Sequence, residues 1–333
     1  MNIGVIGAGS WGTTLADLLA KNGHAVTLWA YEQDLVERMR QHHKNDLYLP
    51  DFTLDDKLAF TSELSEVASG KEMLVLVAPS QVMRAVVRQA EPYMAENTVL
   101  VSAAKGIEND TLMAMSEVLS EVLPQKRCKS LAFLSGPTFA REVAAEIPTA
   151  LTVAAEDEEI AHVVQKTFSN HYFRVYRSSD IIGVELGGAL KNVIALAAGV
   201  SDGLGFGYNA RAALITRGLV EMTRIGLAKG AEERTFMGLS GMGDLVLTCT
   251  GDLSRNRSVG LEIGRGRKLE DILSGMKMVA EGVKTTLSAY QLAQRLGVET
   301  PIIEQMYLIL FENKDPRDAV ADLMQRSLKA ELT

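Results

Sequence analysis

The sequence predicts a wound, mostly parallel α/β sheet followed by an all-α domain. Three observations predict it. Short β-rich runs alternate with helical patterns through the first part of the chain, a glycine-punctuated loop follows the first of those runs, and from about Ile181 the β-rich runs stop. The strand candidates in order are NIGVIG, AVTLWA, LAF, MLVLVA, TVLVSA, LAFLSG, ALTVAA and YFRVY. Amphipathic helical patterns then take over at Gly183–Gly199, Ala210–Lys229, Glu281–Leu296 and Ile302–Glu312. The expected division is a domain over residues 1–180 and a helical domain over 181–333. No Pro/Ser-rich linker separates them, so the chain should run straight into the first long helix.

At 333 residues the chain can bury sizeable cores without staples. Its two cysteines, Cys128 and Cys249, lie far apart and in no CxxC pair, which signals neither a disulfide framework nor a zinc site. A reducing compartment and no metal are the expectation. The net charge of -8 argues against broad nucleic-acid or anionic-membrane binding, although a small basic pocket can still focus an anionic substrate. The apolar run at Ile3 has no basic leader before it, and the longest apolar segment, around Lys191, reads as too short and too polar to cross a bilayer. The expected setting is therefore the cytoplasm, with no integral membrane segment.

NIGVIGAGSWGTTLADLLAKNG places Gly7, Gly9 and Gly12 in GxGxxG order between a strand and a helix. Gly7 permits the tight turn, Gly9 lets the backbone reach a pyrophosphate and Gly12 lets helix and strand pack, while the helix N-terminus favours negative charge. That context makes the first domain Rossmann-type and the expected cofactor a nicotinamide dinucleotide. The usual companion is an acid at the end of the second strand, which holds the adenosine ribose. Here LWAYEQD puts Ala30 or Tyr31 at that place and Glu32 later, and no arginine occurs before Arg38. Tyr31 either stacks on adenine or covers the strand end. With neither acid nor arginine clearly in place, use of both NADH and NADPH is expected, NADPH somewhat favoured.

Ligands of an open parallel sheet lie beyond the carboxyl ends of its strands. Lys105 follows TVLVSA and precedes a glycine, which suits a cation reaching the cleft as well as a solvated loop residue. In LAFLSGPTFARE, Pro137 suits a first helical position, so that Gly136 and Thr138 would sit at a helix start able to hold an oxygen, or simply in a connection. Asp244 lies among Gly238, Gly241 and Gly243, and can bond a lysine or a substrate hydroxyl or cap a helix. In SRNR, Ser254 reads as an N-cap with Arg255 and Asn256 in the first turn. Cations there oppose the helix dipole, which a bound anion would offset; a solvated basic turn is the alternative.

The segment GVELGGALKNVIALAAGVSDGLGFGYN raises the sharpest question. From Leu186 to Ser201 its only charge is Lys191, in a helix apolar all round and hence expected to be buried. Helical steps from Val184 place Lys191 on one stripe with Gly188, Ala195 and Ala198, small enough for a ligand or another element to approach the helix closely. The alternative is a lysine whose stem snorkels out of the cleft.

With GALKNVIALAAGVSDGLGFGYN as its most specific piece, and GAGSWGTTLA, KGIE, SGPTFA, GMGDL, SRNR and VAEG in order, the chain resembles bacterial NAD(P)-dependent glycerol-3-phosphate dehydrogenase over nearly its whole length. The resemblance implies reversible reduction of dihydroxyacetone phosphate to sn-glycerol 3-phosphate for phospholipid synthesis, with Lys191 as the acid and base and with nicotinamide and substrate against its small stripe. It implies cofactor contacts at Ser10, Trp11, Lys105, Ala140, Arg255, Val279 and Glu281. Substrate contacts would be Lys105, Gly136, Thr138, Lys191, Asp244, Ser254, Arg255 and Asn256. Thr138 replaces a common serine and keeps the hydroxyl, whereas Tyr31 stands where many members carry a basic residue. Desolvation should lower the Lys191 pKa, with Asp244 and the substrate phosphate opposing the drop. Two other readings are a 6-phosphogluconate- or 3-hydroxyisobutyrate-type dehydrogenase, which the basic SRNR turn disfavours, and a redox sensor, which has no use for a buried lysine. Apolar helices in the second domain suggest a homodimer.

Overall fold

The computed structural model describes residues 1–276, 281–328, 330 and 331. All eight expected strands form: β1 (Asn2–Ile6), β2 (Ala25–Trp29), β3 (Ala59–Thr61), β4 (Met73–Leu76), β5 (Val99–Ser102), β6 (Leu131–Ser135), β7 (Thr149–Ala155) and β8 (Phe173–Ser178). They make a single sheet of order β3-β2-β1-β4-β5-β6-β7-β8. Every pairing is parallel except β6 with β7. Helices α1 (Ser10–Lys21), α2 (Gln33–His42), α3 (Leu64–Ala68), α4 (Ser80–Ala90), α5 (Met115–Val122), α6 (Gln125–Cys128), α7 (Ala140–Ala144) and α8 (Glu158–Phe168) connect the strands. The central strands β4, β5 and β6 are buried along their whole length, as their apolar runs, closed by Ser102 and Ser135 in the last two, require in a sheet covered on both faces.

After Ser178 the chain is helical: α9 (Ile181–Gly203), α10 (Tyr208–Ala228), α11 (Glu233–Phe236), α12 (Asp244–Thr250), α13 (Arg255–Gly264), α14 (Leu269–Ser274), α15 (Glu281–Leu296), α16 (Pro301–Phe311) and α17 (Pro316–Met324). The four expected helices correspond to α9, α10, α15 and α16. α13 starts where the capping reading of Ser254 placed a helix, whereas α11, α12, α14 and α17 were not among the expected helical patterns, being too brief to show a 3.6-residue period.

α9 is 23 residues long, opened by Asp180, whose side chain accepts the Gly183 N–H. By length and hydropathy it could cross a membrane, contrary to the sequence expectation, but 83% of its most apolar window is buried inside the protein's own core. Glycines set how closely its neighbours approach. A Cβ on Gly199 would lie 2.0 Å from the Arg257 carbonyl oxygen, and one on Gly203 2.3 Å from that of Leu261. Reciprocally, a Cβ on Gly260 would lie 2.0 Å from the Leu196 oxygen, and one on Gly264 2.3 Å from that of Val200. α9 and α13 therefore meet backbone to backbone through two pairs of glycines. This contact fixes where the N-terminal turn of α13 stands relative to Lys191.

Gly199→Ala should consequently force the two helices apart and cost about 2 kcal/mol or more of unfolding free energy. Gly207→Ala, where an added Cβ meets nothing within 4 Å, should change stability by less than about 1 kcal/mol. Urea denaturation of both variants checks the contrast.

Candidate active site

The glycine loop turns as the sequence requires. Gly7 has φ +120°, and a Cβ there would be 2.9 Å from the backbone of Val77 and Ala78. One on Gly12 would be 1.8 Å from the Gly7 oxygen, so only glycine lets α1 begin this close to β1. Gly9, the N-cap of α1, faces open space, with nothing within 4 Å of an added Cβ. Closed on two sides and open at the helix N-terminus, the loop is a cradle suited to a pyrophosphate. Ser10 opens α1, its hydroxyl donating to the Tyr48 oxygen at 2.6 Å. The half-buried Trp11 packs against the hydrophobic core of the first domain. Ala140, the first residue of α7, offers its carbonyl to the Thr14 hydroxyl of α1 at 3.3 Å.

Lys105 lies beyond the carboxyl end of β5, on a loop clamped to α4. Gln81 donates to the Ile107 oxygen at 2.7 Å, and Arg84 pairs with Glu108 at 2.8 Å. So anchored, Lys105 Nζ donates to the Gly136 oxygen at 3.0 Å and to Asp244 Oδ2 at 2.7 Å. Thr138 Oγ1 donates to the same Gly136 oxygen at 3.2 Å. Gly136 and Thr138 thus gather round Lys105. The expected helix start at Pro137 is corrected: α7 begins at Ala140, with Phe139 as its N-cap.

Lys191 is 7% exposed, and its Nζ donates to Asp244 Oδ1 and, at 2.8 Å, to Thr248 Oγ1. Asp244, wholly buried, is the first residue of α12, and Thr248 sits one turn on, donating to the Asp244 oxygen at 2.6 Å. One carboxylate therefore serves two ammonium groups, leaving the cluster an excess of positive charge. Burial pushes Lys191 down to about 8 and Lys105 reinforces the drop, while Asp244 opposes it. The snorkelling alternative is excluded by this burial.

The stripe beside Lys191 has a different purpose from the one expected. A Cβ on Gly188 would lie 2.3 Å from Ser135 Oγ and 3.6 Å from Lys105 Cδ, and Ala195 and Ala198 are fully buried. Gly188 admits β6 and the Lys105 stem, and Ala195 and Ala198 have no surface left for a ligand to touch. The next residue, Asn192, accepts from Asn256 Nδ2 at 2.9 Å, and Asn256 Oδ1 accepts the Gly282 N–H at 3.0 Å. Ser254 caps α13 as expected, accepting from the Arg257 N–H at 3.3 Å, and Arg255 and Asn256 occupy the first turn. Arg257 instead pairs with Asp202 at 2.8 Å, tying the turn to the end of α9. Glu281, at the start of α15, accepts the Ser80 N–H at the head of α4 and lies beside Arg255; burial raises its pKa, and Arg255 opposes the rise. Tyr31 stands apart at the end of β2, 83% exposed. Val279 lies outside the described residues.

Sequence reasoning missed Thr248 and Asn192. Thr248 stands four residues after Asp244, the spacing that shares a helix face, and that was the available signal.

A parallel sheet with a glycine cradle, and a buried lysine–carboxylate cluster where its strand ends meet a helical region, define a dinucleotide-dependent dehydrogenase. The profile of the NAD-dependent glycerol-3-phosphate dehydrogenase N-terminus matches residues 2–161, and that of its C-terminus matches residues 180–321. The chain belongs to the NAD-dependent glycerol-3-phosphate dehydrogenase family, and its activity is NAD(P)-dependent. It is 86% identical to glycerol-3-phosphate dehydrogenase [NAD(P)+] of Syntrophotalea carbinolica, with 100% of both chains covered. It is 63% identical to that of Citrifermentans bemidjiense, over 99% of this chain and 98% of the relative. Among solved structures, glycerol-3-phosphate dehydrogenase from Coxiella burnetii aligns with TM-score 0.93 at 38% identity, covering 98% and 99% of the two chains.

Gly9→Ala tests the cradle. Its methyl meets no protein atom, so the fold should keep its stability to within about 1 kcal/mol. The same methyl occupies the approach of a pyrophosphate, and calorimetric titration should find NADH bound at least about tenfold more weakly.

Proposed function

We propose that the protein interconverts dihydroxyacetone phosphate and sn-glycerol 3-phosphate, with Lys191 giving the proton in reduction and taking it back in oxidation. One observation carries this reading: an ammonium buried beside a wholly buried carboxylate, where the strand ends meet α9. When bound, the nicotinamide supplies or accepts the hydride at the substrate carbon. Lys191 faces the carbonyl oxygen and protonates it as charge develops there, and Lys105 adds a second positive charge to the same site. Asp244 orients both ammonium groups, and Thr248, one turn along the same helix, accepts a second hydrogen bond from Lys191. Ser254, Arg255 and Asn256, with Gly136 and Thr138, receive the rest of the substrate, its phosphate meeting Arg255 and the N-terminus of α13. Glu281 keeps Arg255 in place and borders the cofactor.

Residues 1–180 would then hold the cofactor and 181–333 the substrate and the acid, in a cytoplasmic enzyme that supplies phospholipid synthesis. The homodimer expected from the sequence draws no support from α9, whose apolar surface is used up inside the chain. Adding dihydroxyacetone phosphate to protein and NAD(P)H should consume the reduced cofactor's absorbance; no turnover would refute the assignment.

Because Lys191 is pushed down to about 8, the ammonium needed for reduction is present below that pH. Reduction should fall as pH rises through about 8, and oxidation, which needs the neutral amine, should rise. Lys191→Met keeps an apolar stem, so the fold should survive. Its kcat should fall by about a hundredfold to ten-thousandfold, the pH limb should vanish, and cofactor affinity should hardly change. A folded variant within about tenfold of the parent rate would remove Lys191 from the role.

Arg255→Ala should lower kcat/KM for dihydroxyacetone phosphate by about 2 to 4 kcal/mol, and much less for unphosphorylated dihydroxyacetone. Equal losses on both would assign Arg255 to the cofactor or the fold.

A further inference from the structure

The sequence separates Glu32 from the place where an acid usually meets the adenosine ribose. The folded chain brings it back. Asn45, fully buried, donates from Nδ2 to the Ala8 oxygen and to Thr13 Oγ1, both at 2.8 Å, which stitches residues 45–48 onto the glycine loop. Asn45 Oδ1 accepts the Tyr48 N–H at 2.9 Å, and the Tyr48 oxygen accepts the Ser10 hydroxyl at 2.6 Å. From this fixed backbone the Tyr48 side chain reaches outward, and its hydroxyl donates to Glu32 Oε1 at 2.8 Å. Glu32 is the N-cap of α2, at the carboxyl end of β2. A single tyrosine thus spans from the glycine loop to the Glu32 carboxylate. The adenosine ribose of a dinucleotide seated on such a loop lies in that interval.

From this geometry we infer that Glu32 is the residue that selects the cofactor: its carboxylate, held by Tyr48, accepts the ribose hydroxyls of NADH and repels the 2′-phosphate of NADPH. The inference rests on the dinucleotide reading of the glycine loop. It reverses the mild NADPH preference expected from the sequence.

The two arginines of α2 are engaged elsewhere. Arg38 donates to Asp34 at 2.6 Å and to Asp46 at 2.9 Å. Arg40 donates through Nε and Nη2 to the Phe60 oxygen at 3.0 and 2.8 Å. Neither arginine of α2 is left to pair with a phosphate, whereas a carboxylate stands at the strand end. Burial and the Glu32 carboxylate push the Tyr48 phenol up to about 12, so it remains a neutral donor to Glu32. Tyr31, exposed at the same strand end, leaves the adenine an aromatic face without adding charge.

The test is direct binding as well as turnover: calorimetric titration of NADH and of NADPH into the full-length parent and Glu32→Gln proteins, at low and at high salt, with kcat/KM for both cofactors. The parent should bind NADH at least about tenfold more tightly than NADPH. Glu32→Gln should narrow that ratio to within about threefold, chiefly by strengthening NADPH, because the amide still bonds the ribose but carries no charge. Added salt should narrow the parent's ratio and leave the variant's nearly unchanged, since repulsion at a half-exposed group is screened. Thermal melts of both proteins confirm that the substitution leaves the fold intact. NADPH bound as tightly as NADH by the parent, or a ratio that Glu32→Gln does not move, would overturn the assignment and direct attention to another group such as Lys44. Binding of neither dinucleotide by the parent is a different failure, and would overturn the reading of the glycine loop itself.

Discussion

The carboxylate of Asp244 is where the sheet and the helical region are joined electrostatically. It is wholly buried, and its two oxygens bond Lys105 from the end of β5 and Lys191 from the middle of α9. A buried unpaired ion of either sign would cost several kcal/mol, so each of the three groups requires the others. That requirement orders the surroundings. The Lys105 loop must be clamped to α4, as Gln81 and Arg84 clamp it, and α12 must begin where Asp244 can reach both amines. With one carboxylate between two amines, the cluster carries more positive than negative groups and favours the approach of further negative charge.

Close helix packing makes the cluster possible. α9 is hydrophobic on nearly every face because it is covered on nearly every face: by α13 through the facing glycines, by α10, α12 and α15, and by β6 at Gly188. A membrane-length apolar helix in this chain is thus the axis of a core. Its rigidity has a functional consequence. Since α13 meets α9 backbone to backbone, the capped turn bearing Arg255 and Asn256 is held at a set distance from Lys191. The hydrogen bonds from Asn192 to Asn256 and on to Gly282 lock the start of α15 to the same frame.

The cofactor end follows a separate logic. Glycines shape the loop, while position around it is set by side-chain bonds from residues 45–48, a stretch with little regular structure. Such a loop can change identity without disturbing the sheet, so the Glu32–Tyr48 pair can vary independently of the lysine cluster.

The amino-acid sequence by itself determined the sheet, the order of the long helices, the glycine turn and the singularity of Lys191, because each is written in local period, turn chemistry or a charge out of place in an apolar run. GxGxxG after NIGVI and RNR after the capping Ser254 were legible for the same reason. Tertiary structure alone decided what the small stripe on α9 is for, since a glycine looks the same whether a ligand or Ser135 fills the space beside it. It alone paired Lys105 with Asp244 across 139 residues of chain and brought Thr248 to Lys191. It also returned Glu32 to the edge of the glycine loop through Tyr48, sixteen residues further along the chain. Contacts between distant segments depend on how whole elements dock. That docking is set by packed volume and buried charge summed over the fold, which no local window of residues contains.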